Sequence, residues 1–481
     1  MNTLRNHAIS GVKWTSISMF VCTAAQLIQL AVLARVLEPE EFGAMAIMMI
    51  VIGFSQAFMD MGISNAIIHH QKISHSQLSS LYWLNIAAGV ALTAIVSSIA
   101  PVVSAYYEQP NLTQPLMLLS LVFFAVSLGN QYKVLFQKNL QFNTIAVVDM
   151  TAAVIALGVA VLSALNGMGV YALVLGMLTQ SFISSASYLT LGIRQHHRPS
   201  FSYKHSELKG FFSFGLYQMG ERSINYLSAN VDKLIIGKVL GMTSVGFYNM
   251  AWQLIIFPLS KINPVVNNVA FPVFASIQKD TEALDRYYSL TIKTITLVTI
   301  PLLAFICVYA SDVVLFAFGE GWSKTAELVS VLAVVGILKA FANPGGSLLI
   351  ALGHAKVGFW WNLFWASFIV AGVYLALHIE ADIRSVPMSL LALSLTVGWI
   401  WHVLIVRYCG ITYASILRHF VKLIIVGFSI AFLAQYLIGL FEIELVVLRL
   451  LLSGALCLSL YVPYVVFFEK EIISKFRSGN R

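Results

Sequence analysis

The sequence predicts an all-α membrane protein, and three observations predict it. The chain of 481 residues is 59% apolar and only 10% charged, with a mean hydropathy of +0.83, whereas a soluble domain carries about 25% charge. Its apolar residues come in runs of about 20, the length at which a helix crosses the hydrocarbon core. The alternating pattern of an outer-membrane barrel is missing. Residues 1–10 are short and polar and run into a long apolar segment with no small-residue cleavage site, so this first segment is expected to stay as a membrane helix. Cys22, Cys307, Cys409 and Cys457 stand alone inside apolar runs. No CxxC spacing exists, so no disulfide framework, metal site or cofactor is expected.

Taken in order, about fourteen spans are expected. Six cover residues 11–37, 41–63, 77–98, 113–132, 143–164 and 168–191. A polar, basic stretch, RQHHRPSFSYKHSELK at 194–209, reads as a cytoplasmic linker. Six more cover 210–240, 242–278, 284–309, 326–352, 357–378 and 386–406, and two close the chain at 417–440 and 446–468. With both termini in the cytoplasm, twenty of the 29 Lys and Arg fall inside. Arg35, Lys238, Lys324, Arg384 and Arg449 fall outside, and Arg222, Lys233, Lys261 and Lys339 within spans. This is the bias of the positive-inside rule, and an error of one helix would scramble it. In a membrane protein the net charge of +8 reports such loops, not nucleic acid.

An internal repeat divides the chain. Ala34-Arg35-Val36-Leu37 followed by Gly43 matches Gly237-Lys238-Val239-Leu240 followed by Gly246, at an offset of 203 residues. The same offset pairs Trp14 with Tyr217 and Asp60 with Asn263. The expected organisation is an N-terminal lobe of about six helices (1–193), the linker (194–209), a second such lobe (210–410), and two further helices with a cytoplasmic tail (411–481). Two parallel repeats around a central cavity are a transporter architecture.

The segments LARVLEPEEFG (33–43), DMGISNAIIHHQ (60–71), INYLSANVDKLIIGKVLG (224–241), INPVVNNVAFPVFASIQKDTEAL (262–284) and NPGGSLL (343–349) resemble one family. It is the polysaccharide transporter family, with its colanic-acid-type (Wzx) exporters, in the multidrug/oligosaccharidyl-lipid/polysaccharide flippase superfamily. The resemblance runs from about residue 11 to 352 and fades in the last two helices. It implies a multi-pass protein of the bacterial cytoplasmic membrane that moves undecaprenyl-pyrophosphate-linked oligosaccharide repeat units outward by alternating access, for exopolysaccharide, capsule or O-antigen assembly. Implied partners are that lipid-linked substrate, membrane lipids, H⁺ or Na⁺ as coupling ion, and the polysaccharide polymerase and export machinery. In related peptidoglycan-precursor flippases the first helix carries charged cavity residues; here it has only Gln26 and Gln29 in mid-span.

Such a carrier needs cations for the pyrophosphate and amides or aromatic rings for the sugars. Charges inside a span are expensive and point to a partner, cavity or pathway. The seventh segment carries four, Glu221, Arg222, Asp232 and Lys233. At about 1.5 Å per residue, Glu221, Arg222 and Lys339 lie near the midplane. Glu221, Asn225, Ser228 and Asp232 share one helical stripe, with Arg222, Tyr226 and Lys233 beside it. Expected substrate-binding residues are therefore Arg222, Lys339, Lys261, Lys233, Asn225 and Tyr226; Glu221, Asp232, Asp149 and Asp60 are the candidate cavity or ion-coupling carboxylates. The competing readings are an interhelical ion pair for Glu221 and Arg222, snorkelling for Lys233 and Lys261, and a satisfied polar contact for Asp149. Pro258, Pro264 and Pro344-Gly345-Gly346 are expected hinges, because proline interrupts the helical ladder. Trp360, Trp361 and Trp365 read as interface anchors. A drug exporter of the same superfamily is the alternative, which Arg222 and Lys339 argue against. A membrane polysaccharide polymerase ranks lower, because no large extramembrane loop is visible.

Overall fold

The computed structural model describes residues 2–59, 67–68, 73–201, 203–204 and 223–469. Among these, eleven helices are long and apolar enough to cross a membrane, and twelve when one bent helix pair is counted as a single span. The described residues divide into two compact units, Met1–Gly246 and Phe247–Arg481.

Unit 1 starts with α1 (Asn2–Val36) and α2 (Pro39–Gln56), joined by a tight turn. Glu38 and Glu41 close that turn as a capping box, with Pro39 at the first helical position. Residues 60–63 of the expected second span and 210–222 of the expected seventh lie outside the described set. Next come α3 (His75–Tyr107), α4 (Thr113–Lys138), α5 (Phe142–Leu165) and α6 (Val170–Gln195). Ser74 and Gln77 start α3 with a reciprocal capping box. That helix runs past residue 98, where the apolar pattern ends it: Ser97 Oγ lies 2.9 Å from Ser120 Oγ on α4, and exposed Ser98 donates to Ala94 O of its own helix at 2.8 Å. Helices α3, α4, α6 and α5 pack in succession, with α1 against α5. The backbones approach closely: a Cβ on Gly129 would lie 2.5 Å from Ser185 Cα, the small-residue packing of membrane bundles. In the stretch expected as a linker, Ser200 and Lys204 are strapped to α3. Ser200 N donates to Ser79 Oγ (3.0 Å), Trp83 Nε1 to Ser200 O (2.8 Å), and Lys204 N to Ser80 Oγ (3.1 Å).

The unit closes with α7 (Val231–Leu240) and the start of α8 (Met242–Ser276). A Cβ on Gly43 of α2 would lie 1.8 Å from Met242 O, and one on Gly246 would lie 1.8 Å from Pro39 O. At the offset of 203, Gly43 maps onto Gly246 and Pro39 onto Met242. One contact is thus the other with its partners exchanged, the reciprocity of a local two-fold.

In unit 2, α8 bends by 40° between Met242–Pro264 and Val266–Ser276. Then follow α9 (Thr281–Val308), capped by Asp280, and α10 (Ala310–Phe318), a short helix inside the expected outer loop. The tenth expected span is α11 (Ser323–Ala342) with α12 (Pro344–Ala351); α13 (Ala355–Ile379) comes next. The twelfth is α14 (Ser385–Leu395) with α15 (Trp399–Cys409), and α16 (Tyr413–Gly439) and α17 (Val446–Phe468) end the unit. Packing centres on α9, which contacts both α11 and α16. Three cations expected outside each pair with a carboxylate: Lys238 with Glu108 in unit 1, and Arg384 with Glu327 and Arg449 with Asp312 in unit 2.

Candidate functional site

The span formed by α11 and α12 organises the site in unit 2. Pro344 has no N–H, so Ala340 O loses its usual donor. Gly346 N turns to Asn343 O (3.3 Å), and Ala342 O instead accepts the indole N–H of Trp401 on α15 at 3.0 Å. Freed backbone groups in a membrane helix are tolerated when a neighbouring helix satisfies them, and Trp401 does this here. Gly345 makes room for it, since a Cβ there would lie 2.9 Å from Trp401 Nε1. Behind Trp401 stand Trp361 (ring centroids 5.5 Å apart) and, stacked on it, Trp365 (5.9 Å). Trp360 is exposed.

One turn before the break, Lys339 is exposed on the unit, its Nζ 4.5 Å from the ring centre of buried Trp252 on α8. Asn343 lies four residues on, on the same face. Asn267 Nδ2 of α8 donates to Asn343 Oδ1 at 2.8 Å. Asn263 Oδ1 and Asn267 Oδ1 are buried with no hydrogen-bond partner among the described residues. A Cβ on Gly346 would meet open space. The result is a polar face that carries exposed Lys339 with Asn343 and Asn267, and Asn263 stands four residues before Asn267 across the bend of α8. Lys261, half-buried, sits over its own helix's Phe257 at 5.6 Å.

The expected residues of unit 1 form separate groups. Asp149 accepts from Lys133 Nζ (3.1 Å) and from Tyr188 OH (2.8 Å), with the Lys133 ammonium also 5.4 Å from the Tyr188 ring centre. Tyr226 donates to Met49 O at 3.0 Å, its ring against Gly53. Asp232 is buried and accepts Lys233 N, while Lys233 Nζ donates to Asn230 Oδ1 at 3.2 Å. Asn225 is half-buried on a short helical stretch. Glu221, Arg222 and Asp60 lie outside the described residues. Lys238, the repeat partner of Arg35, donates to Glu108 Oε1 and Tyr106 O, both at 2.8 Å. This bond and the lysine's charge hold the Glu108 carboxyl below its usual value. The sequence reading missed a cavity of about 500 Å³ lined by Ser10, Asn139, Gln141, Asn143, Thr144 and Gln195. It also missed the pairing of Asn267 with Asn343.

Long apolar helices, proline-broken spans and a cation on a polar face define a multi-pass helical membrane protein of transporter type. The fold matches that of a structure titled "Lipid II flippase MurJ, inward closed conformation", with a TM-score of 0.74 over 95% of this chain and 99% of that one, at 14% identity. The family model described as "Polysaccharide biosynthesis protein" matches residues 32–327. The chain belongs to this family, the polysaccharide transporters expected from its motifs. Similar relatives are the "Teichuronic acid biosynthesis protein TuaB" of Bacillus subtilis (strain 168), 32% identical over 75% of each chain, and the "Lipopolysaccharide biosynthesis protein WzxC" of Escherichia coli (strain K12), 31% identical over 75% of this chain and 73% of that one.

Proposed function

We propose that the chain is a flippase of the bacterial cytoplasmic membrane. It carries undecaprenyl-pyrophosphate-linked oligosaccharide repeat units from the cytoplasmic to the periplasmic leaflet for surface-polysaccharide assembly. The observation that carries this reading is a cation, Lys339, held over Trp252 within a span of a polysaccharide-family protein. A mid-span ammonium is retained at a cost and implies an anionic ligand or pathway. Pyrophosphate meets that need while the prenyl tail stays in lipid.

In this reading the chain has about fourteen spans with both termini cytoplasmic, and lobes 1–193 and 210–410 alternate access around the substrate. Arg222, Lys261, Lys233 and Lys339 are the candidate cations for the head group, and Asn225 and Tyr226 candidate partners of the substrate. Glu221, Asp232 and Asp60 remain candidate cavity carboxylates. A coupling H⁺ or Na⁺ would compete with Lys133 for Asp149, and bending at Pro258, Pro264 and Pro344-Gly345-Gly346 accompanies the exchange. The polymerase and export machinery receive the flipped unit.

The test is complementation of a flippase-null strain with matched membrane expression. Arg222→Ala and Lys339→Ala are expected to cut polymer yield at least tenfold, with single repeat units trapped on the cytoplasmic leaflet. Wild-type yield from both variants would refute the anion site. Repeat units exposed to the periplasm but unpolymerised would refute the flippase in favour of a polymerase.

A further inference from the structure

Beside Lys339, the face formed by α8 and the α11–α12 break has more hydrogen-bonding capacity than a pyrophosphate uses. Asn263 and Asn267 stand one turn apart on α8, and each has a buried carboxamide oxygen without a donor among the described residues. Asn267 uses its NH₂ on Asn343 Oδ1, which leaves its own oxygen without a donor. A buried acceptor left without a donor costs free energy, and such groups ordinarily find a partner. Phosphate oxygens only accept, and a prenyl chain does neither, so neither substrate part satisfies these oxygens. A sugar hydroxyl donates to one group while accepting from another, which suits amide oxygens beside the Asn343 NH₂.

Position selects which sugar. Lys339 and Asn343 are four residues apart, a helical rise of about 6 Å, comparable with the reach from a phosphate to the farther ring hydroxyls of the sugar it esterifies. Just past the break, a Cβ on Gly346 would meet open space. We propose that Asn263, Asn267 and Asn343 form a carbohydrate subsite that reads hydroxyls of the first sugar, the one esterified to the pyrophosphate, while Lys339 holds the phosphate. The subsite rests on the flippase reading and extends it, because it makes this chain selective for what the lipid carries.

The test compares binding of two probes, undecaprenyl pyrophosphate and undecaprenyl-pyrophosphoryl-hexose (glucose and galactose forms), to the full-length protein in nanodiscs. Wild type is expected to prefer at least one hexose lipid about tenfold, the equivalent of one to two net hydrogen bonds. In Asn263→Leu/Asn267→Leu this preference falls to about one, with affinity for the bare lipid unchanged. Lys339→Ala weakens both lipids by the same factor and keeps the ratio. Asn263→Ser and Asn267→Ser, which add no apolar bulk, move the ratio in the same direction, so a misfolded Leu variant does not shield the proposal. A wild-type ratio of one, or an unchanged ratio in the Asn variants, means that water fills the face and overturns the subsite while the flippase reading stands. Failure of wild type to bind either lipid would sink both.

Discussion

Replacing Gly43 with alanine tests the reciprocal contact at the start of α2. The added methyl would sit 1.8 Å from Met242 O, whereas ordinary van der Waals contact begins near 3.4 Å. The obstructing atom is backbone, so the two helix ends must separate by about 1.6 Å, the difference of those distances. Overpacking of this kind costs roughly 1–3 kcal/mol, which shifts a two-state balance about 5- to 150-fold away from the arrangement described here. The geometry at Gly246 against Pro39 O is the same, so Gly246→Ala should produce an equal effect. Once the ends have parted, a second methyl meets little resistance, and the double variant should cost clearly less than the sum of the singles. The assay is oxidative cross-linking of Glu40→Cys with Thr243→Cys, another pair at the 203-residue offset. It uses a background in which Cys22, Cys307, Cys409 and Cys457 are replaced, with melting temperatures in detergent measured alongside. Wild-type cross-linking and melting in both single variants, or strictly additive costs in the double, would refute the reciprocal contact.

Two further outcomes follow from unit 1. Asp149→Asn should strand the Lys133 ammonium; their side chains are 30% and 43% exposed, so the loss should be about 1–3 kcal/mol, below that of a fully buried pair. Lys133→Met should rescue it in a thermal-melt double-mutant cycle, and a coupling of zero would show the pair to be idle. His197, whose ring nitrogens have no partner among the described residues, is pushed below the usual histidine value first by burial and then by nearby His75, with His196 adding. A lowered folded-state value means that the released state takes up the proton first. The strap's stability is therefore full above about pH 6.5 and falls as the pH drops below it. Hydrogen exchange over residues 196–204, corrected for intrinsic rates, should show weaker protection at pH 5.5 than at 7.5, and His197→Phe should remove most of the difference. Equal protection at both pH values in wild type would contradict this.

Elements whose limits are set by long apolar runs were legible in the sequence: residues 446–468 are α17, and residues 143–164 lie within α5. The break at Pro344 was legible because proline removes a donor wherever it stands. The break between α14 and α15 was not, since residues 396–398 hold no proline and only Gly398 marks it. Asp149 reads as a candidate coupling group or a satisfied polar contact from its depth in the fifth expected span, and the sequence does not show its partner, which is on another helix. The apolar run ends at 132, yet α4 continues to Lys138 and carries Lys133 to the carboxylate. Trp361 read as an interface anchor because nothing in its neighbourhood of sequence reveals Trp401. The Asn267–Asn343 pair escaped notice for the same reason: hydropathy reports which residues enter the membrane, not which helices they meet there.

The indole of Trp401 gives the tenth span a property that its own sequence does not. A proline break usually makes a helix free to flex on its own, because the bond that would resist bending is gone. Here the freed carbonyl of Ala342 is held by another helix, so any change of angle at Pro344 must either drag α15 along or give up that bond. The elbow between α11 and α12 therefore has its tendon anchored on α15, and while that bond holds, Lys339 and Asn343 swing only with both helices.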